Sequence, residues 1–293
     1  MAEAAGVTVV VDTAAVVTTV AVMDVADTAG GTNMCKPEKN LLAEAQVVNT
    51  GLKHFCFDIE TGNASADDIN TKAQEAKVPA KAKTEDEIRQ AKIDAYQKAV
   101  DKAALLDRAP ITVLAAATEA GNVVWNCIPD PCPVSTMPGL NGEIRNFKSE
   151  KDMLIDLREW LTERTSVLTE IIGFNSKGFD LPKLRNAYIR HRLQLPALFV
   201  PGINPHYDVM REYLRNFTTE FNGQMFVKLK TVQSRFGLPE YKEYISGADA
   251  PKLAAEGKSK LVIPYCYMDT ITTYLAYKFM TGQIEDVKES TNA

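Results

Sequence analysis

Two acidic side chains lie at the C-terminal end of a short apolar segment of the chain. The segment His54-Phe55-Cys56-Phe57-Asp58-Ile59-Glu60 is typical of a strand, and residues two apart on a strand share a face. Asp58 and Glu60 are therefore expected to point the same way. Two carboxylates on one sheet face repel each other unless a cation or solvent separates them. Mg²⁺ and Mn²⁺ prefer oxygen ligands, so the pair suits either a divalent metal site or an acidic strand end in water.

Two further acidic motifs lie much later in the chain. Asp180 stands before Leu-Pro at the predicted start of a helix, where an acid commonly serves as the N-cap. Tyr265 and Asp269 are four residues apart on the predicted last helix, which places them only ~40° apart around its axis. The small Thr272 and Ala276 continue that face, which suits a cleft. A neighbouring stripe, expected to face the core, consists of Met268, Ile271, Leu275 and Phe279.

The three motifs together resemble the signature of the DEDD exonuclease superfamily. The matching segments, in the family's order, are FDIET at 57–61, GFNSKGFDLP at 173–182 and YCYMD at 265–269. The Tyr four residues before the last Asp is similar to the tyrosine subgroup (DEDDy), whereas the histidine subgroup would have His where this chain has Pro264. Over roughly residues 50–281 the chain resembles the predicted 3′–5′ exonucleases related to the proofreading domain of family-B DNA polymerases.

This resemblance implies a ribonuclease H-like α/β fold, in which helices flank a mixed central sheet. It also implies hydrolysis of terminal phosphodiesters by two divalent cations, Mg²⁺ or Mn²⁺, with release of nucleoside 5′-monophosphates. In that scheme Asp58, Glu60 and Asp269 bind the first metal ion, and Asp58 bridges to the second. Asp180 binds the second ion directly or through water, and Tyr265 orients the attacking water.

Four residues beside these motifs are expected to contact the substrate. Thr61 and Gly62 follow the first motif, where a backbone amide would meet the terminal nucleotide. Asn175 is placed to hydrogen-bond sugar or phosphate, and Phe179 either stacks under a base or packs in the core. Basic residues near the second motif predict a groove for a single strand, although a solvated helix face explains them nearly as well; they are Lys177, Lys183, Arg185, Arg190 and Arg192.

The composition is that of a folded globular protein. Of 293 residues, 45% are hydrophobic and 24% charged, which excludes a disordered or collagenous chain. The net charge of −5 disfavours non-specific wrapping of duplex nucleic acid by the whole surface. Five irregularly spaced cysteines and no recognisable secretory signal favour a reduced, cytoplasmic protein. No apolar run approaches the ~20 residues of a membrane helix, so a membrane is not an expected partner.

The chain divides into two predicted parts. Residues 1–49 are predicted to form a β-rich extension or arm, because β-branched runs within 1–35 predict a hairpin or two strands. These would pair with the main sheet, with a second subunit or with another partner. Residues 50–293 form the exonuclease domain, with a helical insertion at about 63–108 in which Thr84 and Glu87 suit a capping box. A hairpin is predicted over 111–128. The later predicted helices span 149–168, 181–193, 207–217, 228–236 and 265–281.

Three functions remain open from sequence. The leading hypothesis is a 3′–5′ exonuclease that acts on single-stranded DNA ends in replication or repair, proofreading or trimming for a separate DNA polymerase or other replication protein. The second is a ribonuclease D-like 3′–5′ exoribonuclease, since that group shares the tyrosine subgroup and one or two contacts to a 2′-hydroxyl decide the preference. The third is a non-catalytic nucleic-acid-binding or assembly protein, which the complete set of four acids and a Tyr disfavours.

Overall fold

The computed structural model describes residues 51–77, 79–80, 84–105, 107–132, 141–219, 226–238 and 245–283. The predicted N-terminal arm lies outside these residues, so its pairing and its role in oligomerisation stay predictions. Within the described ranges, no helix is both long enough and apolar enough to cross a bilayer.

A six-stranded mixed sheet forms the centre of the described fold. Its order is β4-β3-β2-β1-β5-β6. Strands β1, β2 and β3 form an antiparallel meander, and β3–β4, β1–β5 and β5–β6 pair in parallel. The architecture confirms the predicted α/β, ribonuclease H-like fold and the predicted hairpin. The strands are β1 (His54–Thr61), β2 (Ile111–Thr118), β3 (Gly121–Asn126), β4 (Gly142–Asn146), β5 (Glu170–Gly173) and β6 (His206–Asp208).

Helices cover both faces of this sheet. The capping box of the insertion is present, because the Thr84 side chain accepts from the Glu87 amide and the Glu87 side chain accepts from the Thr84 amide. The short β4, β6 and α7 were not predicted, since none of them carries a clear apolar period. The helices are α1 (Ala66–Glu75), α2 (Glu85–Asp101), α3 (Glu150–Arg164), α4 (Asp180–Arg190), α5 (Val209–Asn216), α6 (Leu229–Arg235), α7 (Ala250–Ala255) and α8 (Ser259–Met280).

The alternation of β1 separates a core face from an acidic face. Phe55, Phe57 and Ile59 lie in a hydrophobic cluster with α3 and α4. Cys56 belongs to a different cluster, formed with α5, α6 and α8. The Cys266 thiol on α8 lies 3.5 Å from the Asp58 carbonyl oxygen. Helix α8 therefore crosses the face of β1 that carries the acidic side chains.

Helix α8 differs from its prediction in two ways. It begins at Ser259 rather than near 265 and continues through Pro264, because the added turn buries Val262 and Ile263. Proline removes one helical hydrogen bond there, which this burial offsets. The predicted core stripe is also only partly buried: Met268, Ile271 and Leu275 are half-buried and pack against the core clusters, whereas Phe279 is 38% exposed. The helix instead buries small and polar residues against the sheet, including Cys266, Thr270, Thr273 and Ala276.

The helical insertion is closed at its base by backbone pairing. The Gly62 amide donates to the Pro110 carbonyl at 2.8 Å, and the Ala64 amide donates to the Ala103 carbonyl at 3.3 Å. A 3₁₀ turn at Ala103–Leu105 follows α2 and begins the return to β2. The insertion thus leaves and rejoins the sheet beside the acidic end of β1.

Candidate active site

A cavity of about 340 Å³ lies where β1, α4 and α8 meet. Its lining includes all five predicted catalytic side chains, which come from three segments far apart in the sequence. They are Asp58, Glu60, Asp180, Tyr265 and Asp269. The placement makes the cavity the natural candidate for an active site.

The two acids of β1 form the tightest part of the cluster. Asp58 is half-buried and Glu60 is buried. One carboxylate oxygen from each and the sulfur of Cys266 all lie within 4.8 Å of one another. Asp180 and Asp269 line the same cavity without belonging to this tight group. The strand pairing of β1 with β2 on one side and β5 on the other fixes where the two acids stand.

Asp180 is the first residue of α4, rather than its N-cap. Phe179 occupies the cap position, without a side-chain capping bond. The carboxylate is 3% exposed and accepts hydrogen bonds from the backbone amides of Asp180 and Ile59. Burial raises the pKa of Asp180 well above its usual range, and the negative charge of Asp208 adds to the rise, while the two amides partly oppose it. The site therefore holds this carboxylate at an electrostatic cost.

Asp208 is a positioning residue that the sequence analysis missed. Its buried carboxylate accepts from the amides of Asn175 and Lys177, each at 3.1 Å, and from the Arg211 amide at the start of α5. Asn175 has a left-handed backbone, with φ of 57°. A Cβ on Gly178 would lie 2.7 Å from Asn175 Oδ1, so a larger residue at 178 would displace the Asn175 side chain. An acid directly before the VMREYL helix indicates the N-cap of α5, but it does not indicate the bonds to the amides of Asn175 and Lys177.

Tyr265 is held against the acidic cluster. Its hydroxyl is hydrogen-bonded to the Asp269 carboxylate. Burial raises the pKa of Tyr265 far above its usual range, and the charges of Asp269, Glu60 and Asp58 raise it further. The phenol therefore stays protonated. Gly247 also lines the cavity, and a Cβ at that position would lie 3.3 Å from the tyrosine hydroxyl.

Three of the four predicted substrate contacts line the cavity. They are Thr61, Asn175 and Phe179. The Thr61 hydroxyl donates to the Ala104 carbonyl at 3.1 Å. Gly62 is not part of the lining, and its amide is engaged by Pro110 within the base of the insertion. The structure therefore offers no free Gly62 amide to a nucleotide.

The predicted basic groove is not formed as expected. Lys183 is buried, and burial lowers its pKa to about 8. Arg185 donates to the Phe199 carbonyl at 2.7 Å, and Arg190 forms an ion pair with Glu150 at 2.8 Å. Three of the five basic side chains are thus used to hold the protein together. Lys177 and Arg192 are exposed.

The donor set fits hard divalent cations. Within the described part of the chain, the cavity lining contains four carboxylates and no Lys, Arg or His. Burial is the first cause of the raised pKa of Tyr265, and the negative charges of Asp269, Glu60 and Asp58 raise that pKa further. Several carboxylate oxygens around one space are the ligands that Mg²⁺ and Mn²⁺ take. A bound cation would relieve the repulsion that the fold imposes.

The sequence matches a known family over more than half of its length. The profile of a predicted 3′–5′ exonuclease family related to the exonuclease domain of PolB matches residues 142–292. This chain belongs to that exonuclease family. Membership confirms the resemblance inferred from the three motifs. No curated protein matches the sequence significantly.

The match to the exonuclease family contains only part of the cavity. Asp180, Tyr265 and Asp269 fall within the matched residues, whereas Asp58 and Glu60 precede them. The structure places these two acids through the parallel pairing of β1 with β5, in which Cys56 lies opposite Ile172. The fold of this exonuclease family member thus brings the matched and unmatched acids to one cavity.

Proposed function

We propose that this protein is a metal-dependent 3′–5′ exonuclease that hydrolyses the terminal phosphodiester of single-stranded DNA and releases nucleoside 5′-monophosphates. One observation carries the proposal: four carboxylates and a tyrosine from three distant segments line one cavity. Family membership supports the reaction class. The DNA substrate and the two-metal mechanism are the proposal's own additions.

The four carboxylates would hold two divalent cations. Asp58, Glu60 and Asp269 would bind one ion, Asp58 would bridge to the other, and Asp180 would bind that second ion directly or through water. When bound, such ions activate water, neutralise the phosphate oxygens and stabilise the leaving oxygen. The role of the protein is to fix the acids on β1, α4 and α8, so that little reorganisation is needed when substrate arrives.

Tyr265 would orient the nucleophilic water. Its neutral hydroxyl donates its one proton to the Asp269 carboxylate, so its oxygen can accept a hydrogen bond from the water without acting as a strong base. Thr61, Asn175 and Phe179 would contact the terminal nucleotide from the same cavity. An unpaired end suits these contacts, because the bases of a single strand can stack on aromatic side chains such as Phe179.

Tyr265→Phe should slow catalysis while leaving the metals bound. We expect kcat to fall about 10- to 100-fold, since one water-orienting hydrogen bond is lost and four carboxylates remain. The Mn²⁺ concentration for half-maximal activity should stay within about twofold of wild type. Steady-state kinetics over a Mn²⁺ titration measures both quantities. A large shift in the Mn²⁺ requirement with kcat unchanged would contradict the assigned role.

The substrate class and the metal requirement are tested together. Matched 5′-labelled DNA and RNA oligonucleotides are incubated with the protein and Mg²⁺ or Mn²⁺, and the products are separated on a sequencing gel. We expect single-nucleotide shortening of the DNA from its 3′ end and complete arrest by a chelator, restored by excess Mn²⁺. Faster digestion of RNA would replace the DNA assignment by the ribonuclease D-like alternative. Binding of either strand without hydrolysis would support a non-catalytic protein.

A further inference from the structure

The 3₁₀ turn at the end of the helical insertion forms an apolar part of the cavity. Ala104 and Leu105 line the same cavity as the four carboxylates. The Leu105 side chain is 58% exposed. An apolar side chain left in water at the edge of an anionic cavity gains free energy when a ligand covers it. The acidic side of the cavity suits a charged part of a ligand and its cations, whereas this apolar side suits an uncharged part of the same ligand.

A buried lysine fixes this turn to α4. The Lys183 ammonium donates to the Ala104 carbonyl at 3.2 Å, and the Thr61 hydroxyl donates to the same oxygen at 3.1 Å. Lys183 is only 4% exposed, and its ammonium lies 5.5 Å from the centre of the Phe179 ring. A charged group is buried this deeply only when hydrogen bonds and charge compensate for lost hydration. Here the compensation comes from the Ala104 carbonyl and the Phe179 ring, and both of these residues line the cavity.

A second contact from the same helix face supports the turn. Arg190 follows Lys183 by two helical turns and donates to the Asp107 carbonyl at 3.3 Å. Arg190 is itself held by Glu150 at 2.8 and 2.9 Å, and Glu150 also accepts the Ile111 amide at 2.8 Å. The end of the insertion is therefore attached to α4 and to the start of α3. Such attachment suits a rigid binding wall better than a mobile cover.

We propose that Leu105 forms the apolar wall against which the 3′-terminal nucleobase packs, with Lys183 as the positioning residue that holds this wall. The inference rests on the proposed exonuclease function and adds the place of the base within the cavity. The phosphate is anionic and goes to the acids and their cations, whereas the base is neutral and presents an apolar face. Ala104 and Leu105 are neutral lining residues that the helical insertion supplies to the cavity.

Leu105→Ala is the direct test, with Ile189→Ala as its matched control. Ile189 is an apolar residue on α4 that is 73% exposed and lies outside the cavity lining. We expect Leu105→Ala to raise KM for a single-stranded oligonucleotide about 5- to 20-fold, with kcat within about twofold of wild type. Ile189→Ala should change neither value. An unchanged KM in Leu105→Ala, with wild-type protein active, would overturn this inference and leave the proposed function standing.

An oligonucleotide with an abasic 3′ terminus identifies the contacted group. If Leu105 touches the base, the KM penalty of Leu105→Ala should fall below about twofold on the abasic substrate, since the contact is already absent. A penalty of equal size on both substrates would overturn the assignment to the base. Failure of wild-type protein to digest any oligonucleotide would overturn the proposed function and this inference with it.

Lys183→Met tests the positioning role. The variant keeps the unbranched stem and removes the donor to Ala104. We expect a higher KM with little change in kcat, and faster hydrogen exchange at the Leu105 amide, which donates to the Lys102 carbonyl at 2.9 Å. Unchanged exchange and KM in a folded variant would contradict the role. If Lys183→Met does not fold, Leu105→Ala still tests whether the base packs against Leu105, because that side chain is exposed.

Discussion

Replacing Asp58 with asparagine should remove nuclease activity while leaving the fold in place. Asp58 lines the cavity with the other three carboxylates, and one of its oxygens lies within 4.8 Å of donor atoms of Glu60 and Cys266. It is also the acid proposed to touch both cations. Substitution of outer-shell partners typically costs 10- to 100-fold, so loss of a shared direct ligand should cost at least about 10³-fold in kcat.

The control for this variant is Asp130→Asn. Asp130 is an exposed acid outside the cavity lining, so the same chemical change there should leave activity unaltered. Digestion rates, circular dichroism and the melting temperature are measured for both variants and wild type. Because Asp58 is only half-buried, its neutral replacement should not lower the melting temperature appreciably. Retention of more than about a tenth of wild-type activity by Asp58→Asn would contradict the proposed metal site.

Asp180→Asn should make the metal-free protein more stable and the enzyme inactive. Burial holds the pKa of Asp180 above the usual value of 3.8, so the folded state binds this proton more tightly than the unfolded state does. The stability that the protonated Asp180 carboxyl contributes is fully present below pH 3.8. It is lost as the pH rises through the raised pKa of Asp180. Asparagine stays neutral and can still accept from the backbone amides, so it escapes this loss.

The gain in the free energy of unfolding of Asp180→Asn over wild type should increase with pH. Each tenfold difference in proton affinity corresponds to ~1.4 kcal/mol, so we expect a gain of about 1 to 3 kcal/mol near pH 8 and a smaller one near pH 5. Urea unfolding in a chelator measures the free energy of unfolding at both values. Added Mn²⁺ should then stabilise wild type more than the variant. A variant less stable than wild type near pH 8, or one that keeps full activity, would contradict the account of Asp180.

The catalytic side chains of the site could be predicted from the sequence more completely than the residues around them. Period-two alternation was enough to put Asp58 and Glu60 on one face of β1, and helical spacing was enough to place Tyr265 beside Asp269. That all of them share a cavity with Asp180 could only be expected from the family resemblance. The sequence could not show that the Gly62 amide is consumed by Pro110, because that bond joins the two ends of a long insertion.

Residues that position the site were the hardest to predict. Asp208 at the end of β6 accepts a hydrogen bond from the Asn175 amide in the loop after the neighbouring parallel strand β5. No local sequence pattern indicates a contact between two such distant segments. Lys183 was expected in a solvated groove, but its ammonium is buried by the returning insertion. The face of α8 was misjudged for a related reason. The buried face of α8 mixes the aromatic Tyr274 and Tyr277 with the small Thr270 and Ala276, so no simple apolar period marks it.

The most direct measurement is anomalous diffraction from crystals soaked with Mn²⁺ and a nucleoside 5′-monophosphate. The proposed function predicts two manganese peaks in the cavity, with oxygen ligands from Asp58, Glu60, Asp180 and Asp269, and the nucleotide phosphate beside them. The separate inference about the apolar wall predicts that the base of this nucleotide lies against Leu105. Manganese bound elsewhere on the protein, with no peak among these four carboxylates at saturating concentration, would contradict the central claim.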